Sequence, residues 1–170
     1  IAITSETINE ADETFNVTLS NATSQYGTAS ITGANPHVVT ITNDDNTEVS
    51  FSSTTSSVNE DAGTATITVN RNKTNGTASV NFSTSNGTAT VADSDYTEVT
   101  SGTLSFANGE ASKDISITIS NDSKNEDDET FSVTLNSVTC EFGTGTITGG
   151  ATHTVTITNE DVSSVSFAVP

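Results

Sequence analysis

Two short acidic segments have the composition of a cation site. Residues 125–130, NEDDET, place four consecutive carboxylates before a run of alternating apolar residues, and residues 9–14, NEADET, have a similar form. Like charges about 4 Å apart repel by roughly 4 kcal/mol near a protein surface. Such clusters must therefore be spread out in solvent or neutralised by a cation. Hard carboxylate oxygens suit Ca²⁺, whereas Mg²⁺ needs stricter octahedral geometry and zinc prefers His or Cys.

The whole chain is strongly acidic, with 22 acidic and 4 basic residues among 170 and a formal charge of −18. This charge argues against nucleic acid and anionic membrane surfaces as partners. No apolar run approaches the roughly 18 residues of a membrane-spanning helix, and no signal peptide is recognisable. Cys140 is the single cysteine, and the 58 Ser and Thr residues are typical of exposed β surfaces and secreted stalks. We expect an extracellular or cell-surface location without membrane insertion.

The chain repeats itself with a period of 116 residues. Residues 1–54 align with residues 117–170 without a gap, and 27 of the 54 pairs are identical. A period of this length suits one small domain per repeat. We predict a complete repeat at 47–162, preceded by the C-terminal part of another copy at 1–46 and followed by the first strand of a third at 163–170. The expected partners are neighbouring repeats, of this chain or of other copies, with a cell-surface or matrix target as a further possibility.

Apolar residues within the complete repeat alternate with Thr, Ser and Asn, a period of two that predicts half-buried β-strands. Asn75-Gly76 and Asn108-Gly109 fall between such runs, as hairpin turns do. The prediction is an all-β fold, an immunoglobulin-like antiparallel β-sandwich of about seven strands. The seven runs are marked by Val49/Phe51/Val58, Ala65/Ile67/Val69, Val80/Phe82, Leu104/Phe106, Ile115/Ile117/Ile119, Phe131/Val133/Leu135 and Val155/Ile157.

The acidic residues of the complete repeat are concentrated at one predicted end of the sandwich. If successive strands alternate in direction, the loops after the first, third and fifth strands meet there with the exit from the seventh. This end receives 12 of the 16 acids, whereas Arg71, Lys73 and Lys113 lie at or near the other. Several loops converging with oxygen ligands are what six- to eight-coordinate calcium requires. The twelve are Glu60, Asp61, Asp93, Asp95, Glu98, Asp122, Glu126, Asp127, Asp128, Glu129, Glu160 and Asp161.

An ordered set of motifs carries a family resemblance. The set comprises VNEDAG (58–63), NGTA (86–89), SDY (94–96), GTLSFANGE (102–110), ISITISND (115–122), EDDETFSVTL (126–135) and VTITNED (155–161). It resembles the Calx-β domain, a module of sodium–calcium exchanger regulatory loops and large surface adhesins. The resemblance implies an immunoglobulin-like sandwich with calcium at the end nearest the following domain.

The resemblance also implies a ligand set, position by position. In the complete repeat it comprises Glu60, Asp95, Asn121, Asp122, the carbonyl of Lys124, Glu126, Glu129, Asn159, Glu160 and Asp161. In the preceding copy it comprises Glu6, Glu10, Glu13, Asn43, Asp44 and Asp45. Asn121 and Asn159 stand where the family usually has Asp. We therefore expect one to three ions per site and an affinity of about 10⁻⁴ to 10⁻³ M, as in extracellular modules.

Catalytic functions fit the sequence poorly. His37 and His153 occupy equivalent positions, and neither has the partners of a Ser–His–Asp or Cys–His arrangement, so each is predicted to be a surface strand residue. A carboxylate pair for glycoside hydrolysis could be drawn from the acidic loops, but that end is expected to abut the next domain. Ice binding by alternating Thr is a further alternative, although Thr is common on exposed strands in any case.

The sequence thus predicts a non-catalytic, calcium-binding structural module that stiffens a surface adhesin stalk or filament at its domain junctions. One alternative is a self-assembling fibre whose half-domains are completed by neighbouring chains without calcium. Another is a regulatory calcium sensor of a membrane protein, which would respond below about 10⁻⁵ M calcium.

Overall fold

Eleven β-strands form nearly all the regular structure of the computed structural model, which describes residues 1–167. Within that range, no helix is long and apolar enough to span a membrane. The strands are β1 (Glu13–Val17), β2 (His37–Ile41), β3 (Asn46–Phe51), β4 (Thr55–Asn59), β5 (Thr64–Arg71), β6 (Ala78–Asn86), β7 (Gly102–Phe106), β8 (Ser112–Thr118), β9 (Glu129–Cys140), β10 (Thr144–Ile147) and β11 (Thr152–Thr158), and a single 3₁₀ turn, Glu60–Ala62, follows β4.

Strands β3 to β11 build two sheets, which confirms the predicted sandwich. One sheet has the order β10-β3-β5-β8 and the other has the order β4-β11-β9-β6-β7. The alternating apolar residues of both sheets face each other. Ile67 of β5 and Phe131 of β9, for example, are at most 2% exposed. The Thr and Ser residues between them cover the outer faces, as the period of two requires.

The first predicted strand divides between the two sheets. Residues 46–51 form β3, which pairs antiparallel with β5, whereas residues 55–59 form β4, which pairs parallel with β11. The Gly- and Thr-rich segment after β9 also crosses to the other sheet, because β10 pairs parallel with β3. The complete repeat therefore has nine strands, and two of its strand pairs are parallel. Apolar periodicity places a residue on a face but does not tell which strand it lies beside.

His153 is buried, and its prediction as a surface residue was wrong. It is 2% exposed on β11, and its ring packs against the Phe51 ring at a tilt of 47°, with the ring centroids 5.3 Å apart. Its Nε2 bonds Ser56 Oγ at 2.8 Å and its Nδ1 bonds the Ser53 carbonyl at 2.7 Å. The imidazole thus fixes the segment that passes from β3 to β4. His37, its counterpart on β2, is exposed.

Arg71 organises the end of the sandwich opposite the acidic loops. Arg71 is 5% exposed, and its guanidinium lies 5.4 Å from the centroid of the Phe106 ring. It donates to the carbonyls of Thr74, Gly76, Ala107 and Glu110 at 2.6 to 3.2 Å. A buried charge needs this many acceptors, and together they fix the β5–β6 and β7–β8 loops.

The flanking segments are less regular. In the preceding copy, β1 and β2 form a two-stranded antiparallel sheet whose Val38 is 57% exposed. Of the strand predicted at 163–170, residues 163–167 have no strand pairing and residues 168–170 lie outside the described range.

Candidate metal centre

Four chain segments converge at the acidic end of the complete repeat. They are the 3₁₀ turn after β4, the β6–β7 loop, the β8–β9 loop and the exit from β11. Around a cavity of about 10 Å³ they place five predicted ligands together with two residues outside the predicted set. Its lining comprises Glu60, Asp95, Glu126, Asp127, Glu129, Ile157 and Asn159. A space of this size admits one water-sized sphere.

Three carboxylates of this group come close together. Oxygens of Asp95, Glu126 and Glu129 lie within 4.8 Å of one another. Burial raises the pKa of Glu129 to about 7, and hydrogen bonding to Asp95 and repulsion by Asp95 and Glu126 act in the same direction. Without a cation, the fold therefore favours a protonated Glu129, because a third negative charge is unfavourable there.

Glu60 links two of the loops. The 3₁₀ turn that carries it ends at Ala62 and is capped by Gly63, whose φ of 73° is left-handed and suits glycine. Glu60 is 8% exposed, and its Oε1 accepts a hydrogen bond from the Asp122 backbone N–H at 3.0 Å. Burial raises the pKa of Glu60 despite that hydrogen bond, and the charges of Asp122, Glu160 and Asp161 add to the rise.

Asp95 is held by the β6–β7 loop and by its neighbour in sequence. Its Oδ2 accepts the Thr90 backbone N–H at 2.6 Å. Tyr96 is 2% exposed, stacks on Phe131 with ring centroids 4.3 Å apart, and donates its hydroxyl to Asn86 Oδ1 at 2.6 Å. The SDY motif therefore anchors an aromatic ring in the core, and this places the carboxylate before it at the cavity.

The exit from β11 contributes an amide and an unpaired carboxylate oxygen. The Asn159 backbone N–H donates to Asp128 Oδ1 at 3.2 Å, and its Oδ1 accepts the Asp161 N–H at 3.3 Å. Oδ2 of Asp161 is buried, and among the described residues it has no hydrogen-bond partner. A buried carboxylate oxygen without a partner is costly, so this atom favours a bound cation.

Lys124 supplies a positive charge within the cluster. Its ammonium lies 2.8 Å from Asp122 Oδ2 and 3.7 Å from Glu126 Oε1, and its hydrogen bond holds the pKa of Asp122 below the usual range. The family resemblance had implied a ligand role only for the backbone carbonyl of Lys124. The other two predicted ligands, Asn121 and Glu160, are exposed at the margin of the site.

A model of the Calx-beta domain matches residues 1–46 and 42–161. The chain belongs to the Calx-beta family. Its structure is similar to that of the apo form of the Calx CBD1 domain, with a TM-score of 0.61 and 27% identity over 68% of this chain and 98% of that one. No curated protein sequence matches the chain.

Two further solved structures resemble this Calx-beta chain. One is the calcium binding domain CBD12 of CALX1.1, with a TM-score of 0.59 and 27% identity over 66% of this chain but only 46% of that one. The other is the Calx CBD2 domain, whose TM-score of 0.61 at 22% identity, over 66% of this chain and 86% of that one, supports the fold alone.

The preceding Calx-beta copy has a looser arrangement. Five of its six predicted ligands line an open cavity of about 270 Å³, namely Glu6, Glu10, Glu13, Asn43 and Asp44. Partial desolvation, followed by repulsion from Glu13 and Glu6, raises the pKa of Glu10. Asp45 stands apart and pairs with Lys73 at 3.4 Å. Among residues 1–167, a tight group of three carboxylates occurs only in the complete repeat.

The residues of the complete repeat fit Ca²⁺. The donors are all oxygens, a buried Asp161 oxygen lacks a partner, and burial together with neighbouring carboxylates raises the pKa of Glu129. Two acids outside the resemblance set also matter, since Asp127 lines the cavity and Asp128 holds Asn159. Both lie in NEDDET and were among the acids that strand alternation placed at this end.

Proposed function

We propose that this Calx-beta chain is a non-catalytic calcium-binding module of a tandem-repeat extracellular protein. In this proposal, calcium at the acidic end of each repeat stiffens the junction to the next, as suits an adhesin stalk or filament. The observation that carries the proposal is the gathering of Asp95, Glu126 and Glu129 at the same end of the repeat as the unpartnered Asp161 oxygen.

The ion would be held by oxygens from all four converging segments. Those segments provide Glu60, Asp95, Glu126, Glu129, Asn159 and Asp161. Bound calcium supplies the positive charge that lets these carboxylates ionise together. Because these carboxylates belong to different loops, binding one ion together restricts the motion of the loops relative to one another.

The short connection between copies supports a role in stiffening. β2 of the preceding copy ends at Ile41 and β3 of the complete repeat begins at Asn46. Three of the four intervening residues, Asn43, Asp44 and Asp45, are predicted ligands. With so few residues between the copies, ordering this segment also fixes the angle of the joint.

Charge and ligand type support an extracellular setting. The charge of −18 and the abundance of Ser and Thr suit a solvated surface protein. Asn121 and Asn159 are neutral where carboxylates would bind more tightly. The expected affinity of about 10⁻⁴ to 10⁻³ M is suited to the calcium levels that extracellular modules meet.

A regulatory calcium sensor is the second candidate, favoured by the 27% identity to a structure described as a calcium binding domain. Affinity separates the two functions, since a cytosolic sensor requires a dissociation constant below about 10⁻⁵ M. A calcium-independent fibre, in which neighbouring chains complete the half-domains, would show no calcium response at all.

The test is the melting temperature of the 170-residue chain in calcium, in magnesium and in EDTA. At about 100 times the dissociation constant, one site adds roughly 2.7 kcal/mol, which raises the midpoint by several degrees. Glu129→Gln should abolish most of this shift. Asp114→Asn removes a charge from β8, where the Asp114 side chain accepts only the Thr68 hydroxyl among residues 1–167, and should leave the shift intact. An equal response to magnesium, or none to calcium, would overturn the proposal.

A further inference from the structure

Asn9 connects the preceding copy to the complete repeat through a fully bonded amide. It is 1% exposed. Its Nδ2 donates to Thr47 Oγ1 at 2.8 Å and to the Phe142 carbonyl at 2.9 Å, and its Oδ1 accepts from Asn43 Nδ2 at 2.9 Å. A buried amide satisfied at both ends selects one arrangement of the groups around it.

The turn between β9 and β10 fits against this amide. Gly143 has a φ of 63°, and a Cβ added there would lie 2.3 Å from the Asp45 carbonyl oxygen and 2.7 Å from Asn9 Oδ1. A side chain at this position would therefore force the two copies apart. From the β5–β6 loop, the Lys73 ammonium also bonds the Thr7 carbonyl and pairs with Asp45.

The acidic end of the complete repeat contains the same amide network. Asn159 Nδ2 donates to Asn125 Oδ1 at 3.2 Å, as Asn43 donates to Asn9. The Asn159 backbone N–H donates to Asp128, as that of Asn43 donates to Asp12. The two networks differ in exposure, because Asn125 is exposed whereas Asn9 is buried beneath the turn at Phe142.

We propose that the end of the complete repeat around Asn125 and Asn159 is a docking surface for another copy of this repeat. Asn125 donates to the backbone of that copy's Phe142–Gly143 turn, and one oxygen of Asp161 receives its Lys73, as one oxygen of Asp45 does in this chain, which leaves the other oxygen for the ion. The proposal rests on the tandem array of the proposed function but not on calcium, since the bonds at Asn9 involve no ion.

The test compares two chains, the 170-residue chain and an extended chain in which a second copy of residues 55–162 follows Pro170. This extension keeps the 116-residue period. The readout is amide hydrogen exchange in EDTA, measured at residues 43–49 for the first junction and at 159–165 for the second. In the extended chain, Asn125→Asp should raise exchange at 159–165 about tenfold, because it removes the donors while keeping the acceptor for Asn159.

Matched variants separate docking from folding. In the 170-residue chain, Asn9→Asp should raise exchange at 43–49, whereas Asn125→Asp should not change exchange there or in the β9 core. Gly143→Ala should also open the first junction. Gly149→Ala is its control, because Gly149 has a similar φ of 69° but an added Cβ would come no closer than 3.8 Å to its nearest neighbour, Ser50.

Unchanged exchange at 159–165 in the extended Asn125→Asp chain would overturn the docking surface. Equal increases in hydrogen exchange at residues 43–49 in Gly143→Ala and Gly149→Ala would also overturn it. Glu129→Gln is expected to abolish the calcium response while the junction stays protected, and that result would show the amide contact to be independent of the metal site. A wild-type chain with no calcium response but a protected junction would refute the proposed function and leave the docking surface standing.

Discussion

Glu60 Oε1 accepts the backbone N–H of Asp122 at 3.0 Å and so joins two loops that are 62 residues apart in sequence. The same carboxylate lines the cavity of the candidate metal centre. The Glu60 side chain therefore contributes both a hydrogen bond between loops and a negative charge at the cavity. Substitutions can separate these two contributions.

Glu60→Gln and Glu60→Ala should affect stability differently in EDTA. Glutamine keeps an acceptor for the Asp122 N–H and removes a buried charge, so the free energy of unfolding should be unchanged or higher. Alanine removes the acceptor and should cost about 1–2 kcal/mol. Urea unfolding measures both, and calcium titration should show that both variants bind more weakly. Equal unfolding midpoints for the two variants would show that the hydrogen bond contributes nothing.

Without calcium, the stability of the chain should decrease as pH rises from about 4.5 to about 7. The folded-state pKa of Glu129, about 7, lies above its ordinary value of 4.5, so its contribution is complete below pH 4.5 and is lost as pH rises through 7. The raised pKa of Glu60 acts in the same direction, whereas the lowered pKa of Asp122 acts oppositely and only at more acidic pH.

Unfolding midpoints measured across this range in EDTA test the pH dependence. Glu129→Gln should flatten the profile, and Asp114→Asn should leave it unchanged. Saturating calcium should remove the decrease in the native chain, because the ion stabilises ionised Glu129. A profile that rises towards pH 7 in EDTA would contradict the assignment.

Lys124→Gln should tighten calcium binding about three- to tenfold. The ammonium competes with the ion for Asp122 and Glu126, and its removal leaves more negative charge at an exposed site where screening limits the effect. Calorimetric titration measures the change. Lys113→Gln is the control, because Lys113 pairs with Glu110 and not with the site residues. Weaker binding by Lys124→Gln alone would indicate that the lysine orders the loop instead of competing.

Arg71→Met should destabilise the fold by about 3 kcal/mol or more without weakening calcium binding. It leaves the four carbonyls without their charged donor, and the site lies at the opposite end of the sandwich. Arg71→Lys should recover little of the loss, because an ammonium cannot reproduce the guanidinium geometry. Urea unfolding and calcium titration of both variants check this, and a loss under 1 kcal/mol would contradict it.

The sandwich was predictable from sequence because alternation at residues such as Ile67 and Phe131 reports burial directly. The division of the first predicted strand between the two sheets was not predictable, because the alternation at Phe51 and Val58 would be the same whichever sheet each residue joined. The burial of His153 was also missed. A histidine between threonines gives no sign of the Ser53 and Ser56 partners, which lie about 100 residues earlier in the chain.

The location of the candidate site followed from strand direction, which places Glu60, Asp95 and Glu129 at one end however the loops fold. Its internal arrangement did not follow, because it depends on side-chain orientation within short loops. Strand direction alone therefore does not distinguish Glu126, which faces the cavity, from Asp128, which holds the Asn159 backbone; only the family resemblance separated them.

The parallel pairing of β4 with β11 determines how the repeat would bear tension. These strands lie near the two ends of the complete repeat and run in the same direction. A pull on the flanking chain therefore draws β4 and β11 past each other lengthwise, and their hydrogen bonds share the load instead of opening one at a time. We expect this shear geometry to give the complete repeat a higher rupture force than strands that open one hydrogen bond at a time would have.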